Sequence, residues 1–319
     1  MKQRNSSIEI LRMIAVWGII MMHCYTLIDP AASTPFNHYL GYAINAVCNT
    51  GVSCFVLISG YFGVRYDKGK FIRLVWQTTL YAVIVAAMIY GFTAPTFKAL
   101  LSVPCYSFWF IACYMLLMLT APYIETMLKG TSRQELRRLL LILFVVFSVL
   151  PTLTMGHSSD SIISAGGKCF TYFVFLYLVG RYIRLYHDRD YSSYRTLAVF
   201  LTCTLLIFAL NVSASLFTGK KIINFSLDCS PLILVSSISL FFFFKSHVFH
   251  SSFINKAAGS VLAIYVMNGS YLFFDRELIH LTTYSGSCAF GLWLMLLSVI
   301  TFGFGLLVDQ LLHLILKRK

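Results

Sequence analysis

The stretch "IEILRMIAVWGIIMMHCY", residues 8–25, decides the fold. Only Glu9 and Arg12 interrupt its apolar run, and both fall near its start. About 20 apolar residues wound as an α-helix cross the ~30 Å hydrocarbon core of a bilayer, so residues 9–28 read as a membrane span. Lys2 and Arg4 precede the run as they would in a signal peptide. Glu9, Arg12, the length of the run and the lack of an A-x-A site after it favour a retained helix instead.

The remainder of the chain repeats that pattern. Of its 319 residues 58% are hydrophobic and 12% charged, with a mean hydropathy of +0.77. A soluble domain carries about a quarter charged residues, so a water-covered surface cannot be built from this composition. Further runs of spanning length cover 40–63, 72–93, 106–124, 137–155, 168–186, 196–217, 229–246, 258–274 and 289–314. With the first, they make about ten transmembrane helices and leave no room for a separate soluble domain. Residues 1–319 therefore read as one all-α, polytopic membrane domain, joined by short loops such as 156–167 and 218–228.

The charge balance supports that map. Lys and Arg number 25 against 12 Asp and Glu, a net charge of +13. A nucleic-acid groove would gather such cations on one solvated face, but here long uncharged runs separate them. Sorted by alternate loops, 20 of the 25 fall on the side of the N-terminus, leaving Lys98, Lys168, Lys220, Lys221 and Arg276 on the other. Cytoplasmic loops concentrate Lys and Arg, so both termini are expected in the cytoplasm. The nine cysteines show no CxxC and no metal-ligand spacing, and read as small core residues.

Ionisable groups within spans are costly against lipid, which makes each a functional candidate. Of the eight histidines only His23 lies deep in an apolar run. Arg12 and His23 are 11 residues apart, which at about 100° per residue returns to within ~20° of the same face, ~16 Å along the axis. Glu9, three residues before Arg12, can pair with the guanidinium. The first helix thus carries on one stripe a cation near the inner interface and an imidazole about two-thirds of the way across. His23 could bridge neighbouring helices, but its alignment with Arg12 favours function. Asn45, Asn49, Gln77, Asn211 and Asn268 read as interhelical hydrogen-bonding residues, and Asp309 and Arg181 as ion partners near the inner ends.

Set beside the rest of the chain, this R-x10-H stripe resembles the first helix of the acyltransferase 3 family of integral membrane acyltransferases. "CFVLISGYF" at 54–62 is similar to the Ser-Gly element of that family's second helix, with Ser59 and Gly60. "FWFIACYMLLMLTAPYI" at 108–124 resembles a further stretch, with Trp109, Phe110 and Pro122. "SVLAIYVMNGSYLF" at 260–273 resembles a late helix in which many relatives carry a histidine; Asn268 stands in its place. "RYDKGKFIRLVWQ" at 65–77 keeps Lys70 and Arg73 but lacks a proline often found soon after.

The resemblance implies an enzyme of the cell membrane, inner or plasma, that moves an acyl group, acetyl by likeness, from cytoplasmic acyl-CoA. The acceptor it implies is a hydroxyl of a surface polysaccharide or lipid-linked glycan. Acetyl-CoA would be the co-substrate, with the lipid bilayer as partner and neither a metal nor nucleic acid. Acyl transfer to a hydroxyl needs a base and a clamp for the anionic donor. His23, an imidazole with an ordinary pKa near 6.5, is the natural base. Arg12, Lys70 and Arg73 are candidates to hold the donor phosphates, Arg12 through its bidentate fork. Ser59 either donates to the acyl carbonyl or, with Gly60, permits close helix packing. Trp109 is either a sugar-stacking or an interfacial belt residue, and Asn268 joins them as a candidate for the substrate site. Asp275, Arg276, Glu277, Tyr284 and Tyr106 crowd the outer loops where an acceptor would enter. The alternative class is a transporter or flippase for a glycan or small solute, which buried polar groups among ten helices would serve equally well.

Overall fold

The structure, a computed structural model, describes residues 4–101, 108–154 and 165–317, which places Tyr106 and the greater part of the expected loop 156–167 outside the described residues. Regular structure within them is entirely helical. In chain order the helices are α1 (Ser6–Tyr25), α2 (Pro35–Cys48), α3 (Thr50–Phe62), α4 (Lys68–Tyr90), α5 (Ala94–Leu101), α6 (Trp109–Lys129) and α7 (Arg133–Phe144). They continue with α8 (Phe170–Tyr186), α9 (Ser193–Thr218), α10 (Pro231–Ser246), α11 (Ser252–Ala257), α12 (Val261–Val266), α13 (Tyr271–Phe274) and α14 (Phe290–Lys317).

Among the described residues nine helical segments are long and apolar enough to cross a membrane. The remaining expected span, 168–186, is occupied by α8, whose 17 residues stand at the lower limit for crossing. Six of the seven residues from Tyr172 to Leu178 in α8, all but Val174, are almost wholly buried in protein. The expected span 258–274 is not one regular helix. Tighter turns at Ala258–Ser260 and Met267–Ser270 interrupt it, and a wide turn at Asp275–Ile279 follows. Gly259, Ser260, Gly269 and Ser270, all poor helix formers, fall at these breaks.

The chain folds as two compact units, each assembled from separated segments. The first comprises 1–48, 72–107 and 249–319, and the second 49–71 and 108–248. In the first, α1 packs against α14 and α2, and α12 against α14. The Nε1–H of Trp17 donates to Ser298 Oγ at 3.1 Å, joining α1 to α14. Tyr25 lies edge-on to Phe290, with ring centres 6.0 Å apart. At one end of α1, Ser6 donates to Asn255 Oδ1 at 2.9 Å and accepts from the backbone of Ser251. At the other, the buried Asn37 amide donates to the carbonyls of Ser285 and Ser287 at 2.9 and 2.8 Å.

In the second unit α8 is central, flanked by α3, α6 and α7, while α10 packs on α3 and α9. A methyl group on Gly180 of α8 would stand 2.5 Å from the carbonyl oxygen of Leu57 and 2.8 Å from the backbone nitrogen of Tyr61. One on Gly60 of α3 would overlap the carbonyl of Tyr177 in return. Residues 224–230, expected to straddle a loop and a span end, form a buried and largely non-helical segment. Backbone polar groups in an apolar surround must find partners. Here side chains supply them: Asn49 donates to the Ser226 carbonyl at 2.5 Å, Tyr172 to that of Asp228 at 2.8 Å and Ser148 to that of Cys229 at 2.6 Å, while Asn211 accepts from Phe225 N–H at 3.1 Å. Asn49 and Asn211, expected to bond between helices, thus bond instead to this segment, and Asn45 donates to Gly41 within its own helix.

Ion pairs hold one end of this unit. Arg181 meets Glu125 at 2.8 Å, and the Tyr177 hydroxyl donates to the same carboxylate. Asp188 accepts from Tyr61 at 2.6 Å and pairs with Lys245 at 3.0 Å and with Arg184. Burial works to raise the Asp188 carboxyl, but the Tyr61 hydroxyl, Lys245 and Arg184 outweigh it and hold the group below its ordinary value. A carboxyl depressed on folding stabilises above its unfolded pKa and loses that contribution as pH falls through the folded one. At pH 7 an Asp188→Asn chain is therefore expected to melt below the wild type, with the gap closing under acid. Thermal midpoints recorded against pH check this; a gap independent of pH overturns it.

Candidate active site

The first unit holds His23. Asn5 caps α1, its side chain accepting from Ser7 N–H at 3.0 Å, so the helix begins before the expected residue 9 and ends at Tyr25. His23 consequently sits in the last turn of α1, further across than the sequence placed it, and is exposed on the folded chain. Glu9 and Arg12 pair as expected, at 3.1 Å, in the helix's first half. Arg12 and His23 thus hold the ends of one helical stripe ~16 Å long.

Asn268 comes to His23 from the broken helix. His23 Nδ1 and Asn268 Oδ1 are 3.0 Å apart, while Asn268 Nδ2 donates to the carbonyl of Tyr265 at 2.7 Å. The second bond fixes which way the amide faces, because a flipped amide would set its oxygen against the Tyr265 carbonyl. An amide oxygen only accepts, so Nδ1 of a neutral ring is the donor and Nε2 carries the lone pair. The Tyr271 ring lies 6.4 Å from the imidazole. His23 and Asn268 stand out separately in the sequence; neither their contact nor the neighbouring Tyr271 is legible there.

Acceptor-loop candidates gather at the same end of this unit. Thr282 donates to the Leu27 carbonyl at 3.0 Å and Ser285 accepts from Asp29 N–H at 2.9 Å, fastening residues 281–287 beside the end of α1. Asp275 accepts from Leu281 N–H, Arg276 pairs with Glu277 at 2.6 Å and Tyr284 stacks on Trp293. His280, in the left-handed region at φ 55°, ends the wide turn.

Other candidates lie elsewhere. Lys70 and Arg73 are exposed on the first turns of α4, Arg73 in the unit of Arg12 and Lys70 in the other. Ser59 and Trp109 also belong to the second unit. Ser59 donates to the Phe55 carbonyl one turn back, at 2.9 Å. Trp109 packs edge-on to Phe173, with the Lys168 ammonium 6.0 Å from its ring centre. Asp309, expected near the inner end, accepts from the Tyr81 hydroxyl and lies 3.6 Å from His313. No group of three or more His, Cys, Asp or Glu placed to hold a metal occurs among the described residues.

Apolar spans carrying an exposed, hydrogen-bonded imidazole define a multi-pass membrane protein with a polar site at one end of its first helix. A family model described as an acyltransferase domain matches residues 5–309, and the chain belongs to the acyltransferase 3 family. It is a membrane acyltransferase. No curated protein and no solved structure matches the chain.

Proposed function

We propose that the protein transfers an acetyl group from cytoplasmic acetyl-CoA to a hydroxyl of a surface polysaccharide or lipid-linked glycan, in the cell membrane, with His23 as the base. The contact that carries this reading is His23 Nδ1 to Asn268 Oδ1, because it leaves Nε2 as the proton acceptor. Nε2 takes the proton as the glycan oxygen attacks the thioester carbonyl. The carbon–sulfur bond then breaks, and the imidazolium returns the proton to the departing thiolate. An ester and a free thiol result, with no net proton released. Arg12 heads the donor end of the stripe, with Arg73 of the same unit as a further phosphate-binding cation. The ~16 Å from Arg12 to His23 suits a pantetheine arm reaching into the membrane.

Purified protein in proteoliposomes, given radiolabelled acetyl-CoA and extracted glycan, is expected to place base-labile label on the glycan. Passage of unlabelled glycan across the bilayer without acylation would establish the transporter instead.

Asn268 acts here through His23 as a positioning residue. An Asn268→Leu enzyme keeps the imidazole but loses the acceptor that selects its tautomer, and kcat is expected to fall about tenfold or more with KM for the donor little changed. Steady-state kinetics at saturating donor, with Asn268→Gln as a partial rescue, decide it. A rise in KM alone would make Asn268 a binding residue.

A further inference from the structure

The second unit carries a groove lined by none of the residues gathered around His23. A cavity of about 550 Å³ opens between α7, α8 and α10. Its α7 wall is one stripe, Arg133, Arg137, Leu140, Leu141 and Phe144, at steps of four, seven, eight and 11 residues. Phe175 and Val179 of α8 and Leu234 and Ile238 of α10 close the other side.

The groove is basic at one end and apolar along the rest. His187, at the end of α8, brings Nε2 to 3.4 Å from Arg133, whose guanidinium lies 5.6 Å from the centre of the Tyr186 ring. Among the described residues no carboxylate stands within ion-pair distance of Arg133 or Arg137. The one acid beside them on α7, Glu135, is turned back to accept from Ser132 N–H at 2.8 Å. From Arg133 to Phe144 the stripe runs ~16 Å along the helix. Leu141 is 54% exposed, so its flank is open to the hydrocarbon side rather than sealed by protein.

We propose that this groove binds an anionic glycerophospholipid. Its phosphate sits against Arg133, Arg137 and His187, and one acyl chain lies along Leu140, Leu141 and Phe144. Charge complementarity selects the occupant: two guanidinium groups with no carboxylate call for an anion, and the apolar continuation calls for one that carries a chain. A zwitterionic lipid of the same chains would fill the apolar part but bring its own cation to the basic end. The groove belongs to the second unit and His23 to the first, and its test reads lipid retention, so the test does not depend on the acyl-transfer reading.

Native mass spectrometry of the full chain in neutral detergent, titrated with phosphatidylglycerol or phosphatidylcholine of matched chains, reads it directly. Phosphatidylglycerol is expected to be retained about tenfold or more over phosphatidylcholine. That preference is expected to vanish in Arg133→Gln/Arg137→Gln and largely persist in Arg133→Lys/Arg137→Lys, while Lys129→Gln, at the same end of the unit, leaves it unchanged. Equal retention of the two lipids by the wild type overturns the proposal without any variant. Undiminished preference in the double glutamine variant, or displacement of phosphatidylglycerol by an equivalent of palmitoyl-CoA, overturns it as well, the last by assigning the groove to a thioester.

Discussion

In a His23→Ala enzyme, acyl transfer is expected to fall by about 10²–10⁴-fold in kcat, the contribution of a positioned proton acceptor. His23 is exposed, in the last turn of α1, and its contact with Asn268 is one hydrogen bond, so the fold is expected to survive the change. KM for acetyl-CoA is expected to stay close to the wild-type value, since Arg12 and Glu9 are untouched. Glutamine at position 23 sharpens the result. Its amide can donate to Asn268 Oδ1 but cannot take up a proton at neutral pH, so the hydrogen bond is kept and the base removed. Single-turnover rates of the two variants in proteoliposomes check this, with thermal midpoints as control. A His23→Gln enzyme at near wild-type rate would mean that His23 holds structure and another group accepts the proton.

Leucine in place of Gly180 is expected to cost about 3 kcal/mol, the upper end for overpacking a close contact. An added Cβ there meets the Leu57 carbonyl and the Tyr61 backbone nitrogen, and neither can rotate away as a side-chain tip would. Gly180→Ala already introduces that clash, although alanine is otherwise the better helix former by about 1 kcal/mol. Gly303 in α14 supplies the contrast, because a Cβ there meets nothing within 4 Å. The same glycine-to-alanine change should therefore lower the thermal midpoint at 180 and leave it unchanged or higher at 303. Equal responses at the two sites would show that α3 and α8 separate easily.

Much of this architecture could be read from residue order. Apolar length marks the spans, and the Glu9–Arg12 pair follows from a three-residue step. Ser59-Gly60 stands out as a motif, with its packing role open; the partner glycine does not, because nothing local in "YLVGRYIR" distinguishes Gly180 from any other small residue in a helix. Residues 224–230 eluded prediction for a different reason. Hydropathy sees their polarity and assigns all but Cys229 and Ser230 to a loop, but their burial depends on Tyr172, Ser148, Asn49 and Asn211, which come from other segments. The same holds for the candidate site. The stripe of Arg12 and His23 is local, whereas the meeting of His23 with Asn268 depends on the tight turn at Met267–Ser270, which interrupts an apparently ordinary span.

The interleaving of the first unit has a consequence for biogenesis. His23 leaves the ribosome among the earliest residues, whereas Asn268, 245 positions later, and α14, which covers α1, emerge near the end. At about 5–20 residues per second, some 12–50 s of translation separate the imidazole from the amide that orients it. All of the second unit is synthesised in that interval. A nascent chain threaded into the bilayer as far as α10 therefore carries His23 without its Asn268 partner, and if His23 is the base proposed above, completion of the late helices also switches the enzyme on.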